Sequence, residues 1–133
     1  MPESFPLPDR NSAYGSRDYW ETRYAAEDSY DWITSYDAVT ELIHQHVLKT
    51  DRILMIGCGN SPFSRAMYAD GYHNITNIDY SSVVIEKENV KAMETGCDKM
   101  QYLCMDMLQM SFETGKIFRT SKAYKLYMFV III

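Results

Sequence analysis

RILMIGCGNSPFSRAMYADGYHNITNIDYSS, Arg52 to Ser82, is the stretch that decides the fold. "ILMI" is a continuous apolar run of strand length, the pattern of a strand buried on both faces. "GCGNS" turns the chain. Pro62 suits a first helical position, "FSRAMYAD" continues the helix, and Gly71 is placed to stop it. "ITNI" predicts the next strand, with Asp79 at its end. Beyond it, residues 82–95 predict a longer helix that starts at Ser81 or Ser82 and stops near Gly96. "QYLCM" predicts a third short strand. Strand, helix, strand, helix, strand implies an α/β fold with parallel strands joined by crossovers.

Upstream, residues 1–15 hold three of the four prolines and predict a flexible N-terminal arm. Aromatics follow: Tyr19, Trp20, Tyr24, Tyr30, Trp32 and Tyr36. Ser16 is placed to cap a short helix through "RDYWETRYAA", on which Trp20 and Tyr24 share a face. A second helix is expected over residues 35–48, its stripe formed by Tyr36, Val39, Ile43 and Val47 with Leu42 beside it. The chain shows no internal repeat.

The 133 residues suit one small domain. A net charge of -5 gives no reason to expect a nucleic-acid partner. Cys58, Cys97 and Cys104 are too few for a disulfide scaffold and form no CxxC pair, so reduced, mostly buried thiols are expected. The opening "MPESFPLPDRNS" has acids and prolines where a secretory leader has a basic region and an apolar run. The run "LYMFVIII" falls far short of the roughly 20 apolar residues that span a bilayer. A soluble cytoplasmic protein without membrane contact is the expectation.

In an open parallel sheet, ligands bind beyond the carboxyl ends of the strands. Gly57 and Gly59 stand there, where missing side chains permit a tight turn and close approach to backbone. Asp79 lies 22 residues beyond Gly57, placed to accept hydrogen bonds from ribose hydroxyls. A plain turn and a solvated aspartate are the alternative. The third glycine of a dinucleotide fingerprint is absent, as is a GxxxxGK phosphate loop. A nucleoside with a small charged tail, such as S-adenosyl-L-methionine, therefore fits better than a pyrophosphate. Asp106, after the third strand, can face an adenine amino group. Met107 can pack on the ring or belong to the core, and Tyr80 is a ribose-side surface or a half-buried aromatic. His44, His46 and His73 read as structural or solvated, and no metal site is expected.

"ILMIGCGNSPFS" followed by "NIDYSSVVI" resembles the class I S-adenosylmethionine-dependent methyltransferases. More narrowly, with "YGSRDYWETRYA", "YDWITSY" and "CMDMLQMSF", it resembles the methyltransferase-like group that includes the lysine methyltransferases of elongation factor 1-alpha. The likeness covers residues 14–113. The family's usual acidic position before the first glycine is Met55 here, and its third glycine is Ser61. The resemblance implies a Rossmann-like fold, S-adenosyl-L-methionine as cofactor, and protein-lysine methylation with a substrate such as elongation factor 1-alpha. It implies that Gly57 meets the cofactor's amino-acid part and that Asp79 holds the ribose, with Tyr80 beside it. Asp106 and Met107 would frame the adenine, and Trp20, Tyr24 and Trp32 would cover the cofactor. As residues alone, those three aromatics fit an ordinary core equally well, and Arg23 reads as a surface charge, with a place facing the methionine carboxylate as the alternative.

After "MSFETG" the pattern departs from the family. "KIFRTSKAYK" is basic and "LYMFVIII" apolar, unlike the family's fourth strand. Residues 16–113 thus read as the N-terminal half of a methyltransferase domain, three parallel strands with helices. Residues 114–133 read as a divergent tail. The expectation is a C-terminally truncated chain, with an exposed edge on the first strand and no normal fourth strand from residues 116–133; the alternative is that the apolar run "FVIII" patches that edge, since its β-branched residues favour extended pairing. Against catalysis stands the alternative of a truncated isoform that binds cofactor weakly or serves only as a binding partner.

Overall fold

The computed structural model describes residues 5–30 and 34–110, and the backbone of residues 126–130. Trp32, assigned above to the cofactor cover, lies outside the described residues. A 3-10 turn over Asn11–Gly15 leads into helix α1 (Arg17–Ala26) and helix α2 (Tyr36–His46). Strand β1 (Arg52–Ile56), helix α3 (Phe63–Ala69), strand β2 (Ile75–Asp79), helix α4 (Ser82–Glu94) and strand β3 (Gln101–Cys104) follow. A short 3-10 turn, Met107–Gln109, and strand β4 (Leu126–Val130) complete the described elements.

The sheet is parallel in the order β3-β2-β1-β4. The expected three strands are present. The fourth corrects the expectation of an exposed edge: β4 pairs with β1 residue for residue, from Arg52 opposite Leu126 to Ile56 opposite Val130. An unpaired inner strand leaves a row of backbone donors and acceptors without partners, and an apolar run rich in strand-forming residues supplies them. The connection from β3 is long enough for the crossover that parallel pairing requires.

β1 reads as a continuous apolar run because both of its faces are covered. Ile53 and Met55 enter a large cluster with Trp20, Tyr24, Tyr36, Phe63, Met67 and Tyr72. Leu54 and Ile56 join Ile78 on the opposite face. The one polar residue in the middle of β2, Asn77, is fully buried. It accepts from the Ser64 hydroxyl at 2.5 Å and donates to the Gln101 carbonyl at 3.0 Å, so its amide is satisfied.

Local signals act as their chemistry dictates. The buried Ser81 hydroxyl caps α4 by accepting from the Val84 N–H at 3.3 Å. Gly71 and Gly96 follow their helices at positive φ, 103° and 76°. Pro62 sits at the N-cap of α3, one residue before its expected place. Ser16 sits at the N-cap of α1 without a side-chain capping bond. On α2, Tyr36 and Ile43 are buried, as is Val47 beyond its end, while Leu42 is exposed.

Candidate functional site

The site grows from the corner where β1 ends. Gly57 and Gly59 have φ of 67° and 49°, the left-handed region that side chains disfavour. The Cys58 N–H donates to the Ile78 carbonyl at 3.0 Å, which ties the corner to β2. The Gly59 N–H donates to Asp79 Oδ2 at 3.0 Å, and the Ser81 N–H to Asp79 Oδ1 at 3.0 Å. One carboxylate thus holds together the loops that leave two neighbouring strands. The Asp79 carbonyl also accepts from the Met105 N–H at 2.9 Å, which brings the end of β3 to the same place.

Asp79 is buried, and burial pushes its carboxyl above the usual carboxylate range, opposed by the N–H groups of Ser81 and Gly59. Burial likewise pushes the Cys58 thiol well up, with the Asp79 charge adding to the effect. Cys58 therefore stands in the corner as a protonated thiol rather than a nucleophile. All three cysteines are free; Cys58 and Cys97 are buried and Cys104 is exposed.

Helix α1 forms the roof. Trp20 and Tyr24 share one face and stack at 5.6 Å, and Tyr14 stacks on Trp20 at 5.8 Å. The Trp20 indole N–H donates to the Tyr14 carbonyl at 2.7 Å. Tyr24 is the ring that reaches the corner: its hydroxyl lies 2.8 Å from where a Cβ on Gly59 would stand. The close approach that Gly59 permits is therefore made by the chain's own tyrosine. Burial, and then the Asp79 charge, push the Tyr24 phenol far above its ordinary value.

Arg23 is buried, which overturns the reading of it as a surface charge. Its guanidinium makes two hydrogen bonds to Glu27, at 2.9 and 3.3 Å, and a third to the Tyr19 hydroxyl at 3.0 Å. It also lies over the rings of Phe5 at 5.6 Å and Tyr30 at 5.3 Å. A buried cation persists when it is paired and its donors are used, and the four-residue spacing to Glu27 was the available signal.

Three contacts fasten the roof to α4. Glu21 accepts from the Ser82 N–H at 3.1 Å. Lys87 Nζ donates to the carbonyls of Tyr24 at 2.6 Å and Glu27 at 3.3 Å. Lys91 Nζ reaches the Asp28 carbonyl at 2.6 Å and its carboxylate at 3.0 Å. A fourth contact, from the corner itself, is Asn60 Nδ2 donating to Glu27 Oε1 at 3.0 Å. Asn60 is buried, and its Oδ1 has no hydrogen-bond partner. Residue types and spacing had singled out neither Asn60 nor Glu27.

The remaining predicted residues flank the corner. Tyr80 is half-buried beside Asp79, with the Arg17 guanidinium over its ring at 5.3 Å. Asp106 begins the turn after β3, its Oδ1 accepting from the Leu108 N–H at 2.8 Å. Met107 is 52 % exposed and so does not belong to the core. The histidines sit elsewhere: His44 meets Asp70 at 2.5 Å, and the His73 ring lies 4.4 Å from that of Tyr68. Among the described residues no cluster of three potential metal ligands forms, and no helix is long and apolar enough to cross a membrane.

Residues 53–124 match the family model described as "Methyltransferase domain". The chain is 37% identical over 108 residues to the eEF1A lysine and N-terminal methyltransferase of Homo sapiens, covering 80% of this chain and 15% of the relative. It is 33% identical over 112 residues to EEF1A lysine methyltransferase 4 of Bos taurus, covering 82% and 43%. With the eEF1A lysine and N-terminal methyltransferase homolog of Drosophila melanogaster it shares 35% identity over 111 residues, covering 80% and 16%. The chain thus spans less than half the length of these relatives. The chain belongs to the class I S-adenosylmethionine-dependent methyltransferases, related to those of eEF1A.

Proposed function

We propose that this chain binds S-adenosyl-L-methionine in the glycine corner and acts as a protein-lysine methyltransferase, with eEF1A or a protein of that kind as substrate. The observation that carries the reading is the buried Asp79 carboxylate at the end of β2, fastened to Gly59 and Ser81. Asp79 Oδ2 accepts from the Gly59 N–H and Oδ1 from the Ser81 N–H, and a carboxylate, with about four acceptor sites, can still take a ribose hydroxyl. The corner also suits the cofactor's charge. The Asp79 carboxylate and the Asn60 amide oxygen are acceptors that favour an ammonium over a pyrophosphate.

In this reading Gly57 brings its backbone to the cofactor's amino-acid part, Asp79 holds the ribose and Tyr80 lies beside it. Asp106 and Met107 frame the adenine. Tyr24 and, behind it, Trp20 cover the cofactor; Trp32 completes that assignment. When bound, the cofactor supplies an electrophilic methyl group on sulfur. The protein's part is then placement: orienting the cofactor, excluding water under α1, and leaving the acceptor amine an in-line approach. Three free thiols fit a cytosolic location.

The test is twofold. Calorimetry should show S-adenosylhomocysteine binding more tightly than NAD. Incubation with eEF1A and isotope-labelled methyl donor should label a lysine, located by mass spectrometry. Tighter NAD binding refutes the cofactor assignment; binding without labelled lysine refutes the transferase assignment.

A further inference from the structure

Among the described residues, Asn60 holds a side-chain acceptor in the corner that is buried, unpartnered and of determined orientation. Its Nδ2 donates to Glu27 Oε1 at 3.0 Å. A carboxylate can only accept, so the amide nitrogen must face Glu27 and Oδ1 must face away from it. That oxygen is buried and accepts nothing. Native proteins rarely leave such an atom unsatisfied, and an orphan beside a ligand site points to a donor that the ligand brings.

The surroundings specify the donor. Asn60 directly follows Gly59, whose N–H holds the Asp79 carboxylate. Glu27, on the other side of the amide, carries a second carboxylate, and Arg23 is engaged by it at 2.9 and 3.3 Å. The charged groups that touch Asn60 and the residue before it are thus the Glu27 carboxylate, paired with Arg23, and the Asp79 carboxylate. A primary ammonium would meet there a neutral acceptor, next in the chain to the glycine whose N–H holds the Asp79 carboxylate.

We propose that Asn60 is the specificity group for the α-ammonium of the cofactor's amino-acid tail, oriented for that task by Glu27. The proposal rests on the cofactor assignment above and adds to it the group that distinguishes an amino-acid tail from any other nucleoside substituent. Glu27 is then a positioning residue, which explains why a buried arginine is spent on holding it.

The experiment is calorimetry on the whole chain with two probes: S-adenosylhomocysteine, and its analogue with hydrogen in place of the α-amino group. The parent chain should prefer S-adenosylhomocysteine at least tenfold. Asn60→Leu, close in shape but without an acceptor, should lower affinity for S-adenosylhomocysteine ten- to a hundredfold and leave the deaminated analogue within twofold. Equal losses for both probes, or no loss for either, would overturn the proposal by reducing Asn60 to a structural role. Should Asn60→Leu fail to fold, the parent chain decides: a preference under threefold overturns the proposal. Should the parent bind neither probe, the cofactor assignment itself falls, a result distinct from binding both alike.

Discussion

The Tyr24 hydroxyl occupies space that any side chain on Gly59 would claim, 2.8 Å from the position of its Cβ. Helix α1 and the corner after β1, far apart in sequence, are therefore fitted to one another at a single atom. The absence of a side chain at Gly59 serves two needs at once, a left-handed φ of 49° and room for the tyrosine.

Gly59→Ala should destabilise the chain by about 1–3 kcal/mol, the cost of a strained left-handed residue, with the contact to Tyr24 added. Tyr24→Phe in the same chain should recover only the contact part: the ring carbon at 3.4 Å is at ordinary contact distance, while the φ of 49° stays strained. Urea unfolding of the two single variants and the double variant measures that coupling. Strict additivity would show that the two residues do not meet.

Asp79→Asn should lower affinity for S-adenosylhomocysteine by more than tenfold. A charge-assisted hydrogen bond to a ribose hydroxyl contributes about 1.5–3 kcal/mol, and the amide replaces one acceptor with a donor facing an N–H. Calorimetry gives the affinity, and a thermal melt separates lost binding from lost folding. Unchanged affinity in a folded variant would mean that the carboxylate serves only Gly59 and Ser81.

Lys87→Met should loosen the roof. It removes the cation that satisfies the last carbonyls of α1 at Tyr24 and Glu27, a loss of about 1 kcal/mol. Hydrogen exchange should accelerate in α1 more than in β1 or β2. Uniform acceleration throughout the domain would contradict a local fastening.

Asp70 gathers the Tyr36 hydroxyl at 2.5 Å, His44 at 2.5 Å and Lys49 at 3.2 Å. Tyr36 first, and then His44, hold its carboxyl down at about 2 from an ordinary 3.8. A carboxyl depressed in the folded state adds stability above its unfolded value, and that contribution is lost as pH falls through the folded one. The stability gap between the parent chain and Asp70→Asn should therefore be full above pH 3.8 and close towards pH 2. Unfolding by urea across that range measures it; a gap that does not change with pH would remove Asp70 from the account.

Much of the corner was legible in the residues themselves. A period change at Arg52, glycines at 57 and 59, a serine cap at 81 and a carboxylate at 79 are local signals, each set by what one backbone segment can adopt. Two of the site's features were not local. Arg23 reads as solvated in isolation, because only the folded chain shows that Glu27, Tyr19 and two aromatic rings enclose it. Asn60 reads as a turn residue until Glu27 fixes its amide.

The run from Leu126 to Val130 shows the division most plainly. Its residue types favour extended pairing and made it a candidate patch for the edge of the first strand, without deciding between that and an exposed edge. The partner was decided by β1, whose second edge needed hydrogen bonds that no residue near it in sequence could give. Sequence alone therefore determined which segments become strands and helices and which carboxylate ends β2, since propensity, capping and periodicity act within a few residues. Tertiary structure alone decided which edge is covered, which arginine is buried and which amide oxygen is left waiting, because burial and pairing depend on neighbours that the chain brings together only by folding.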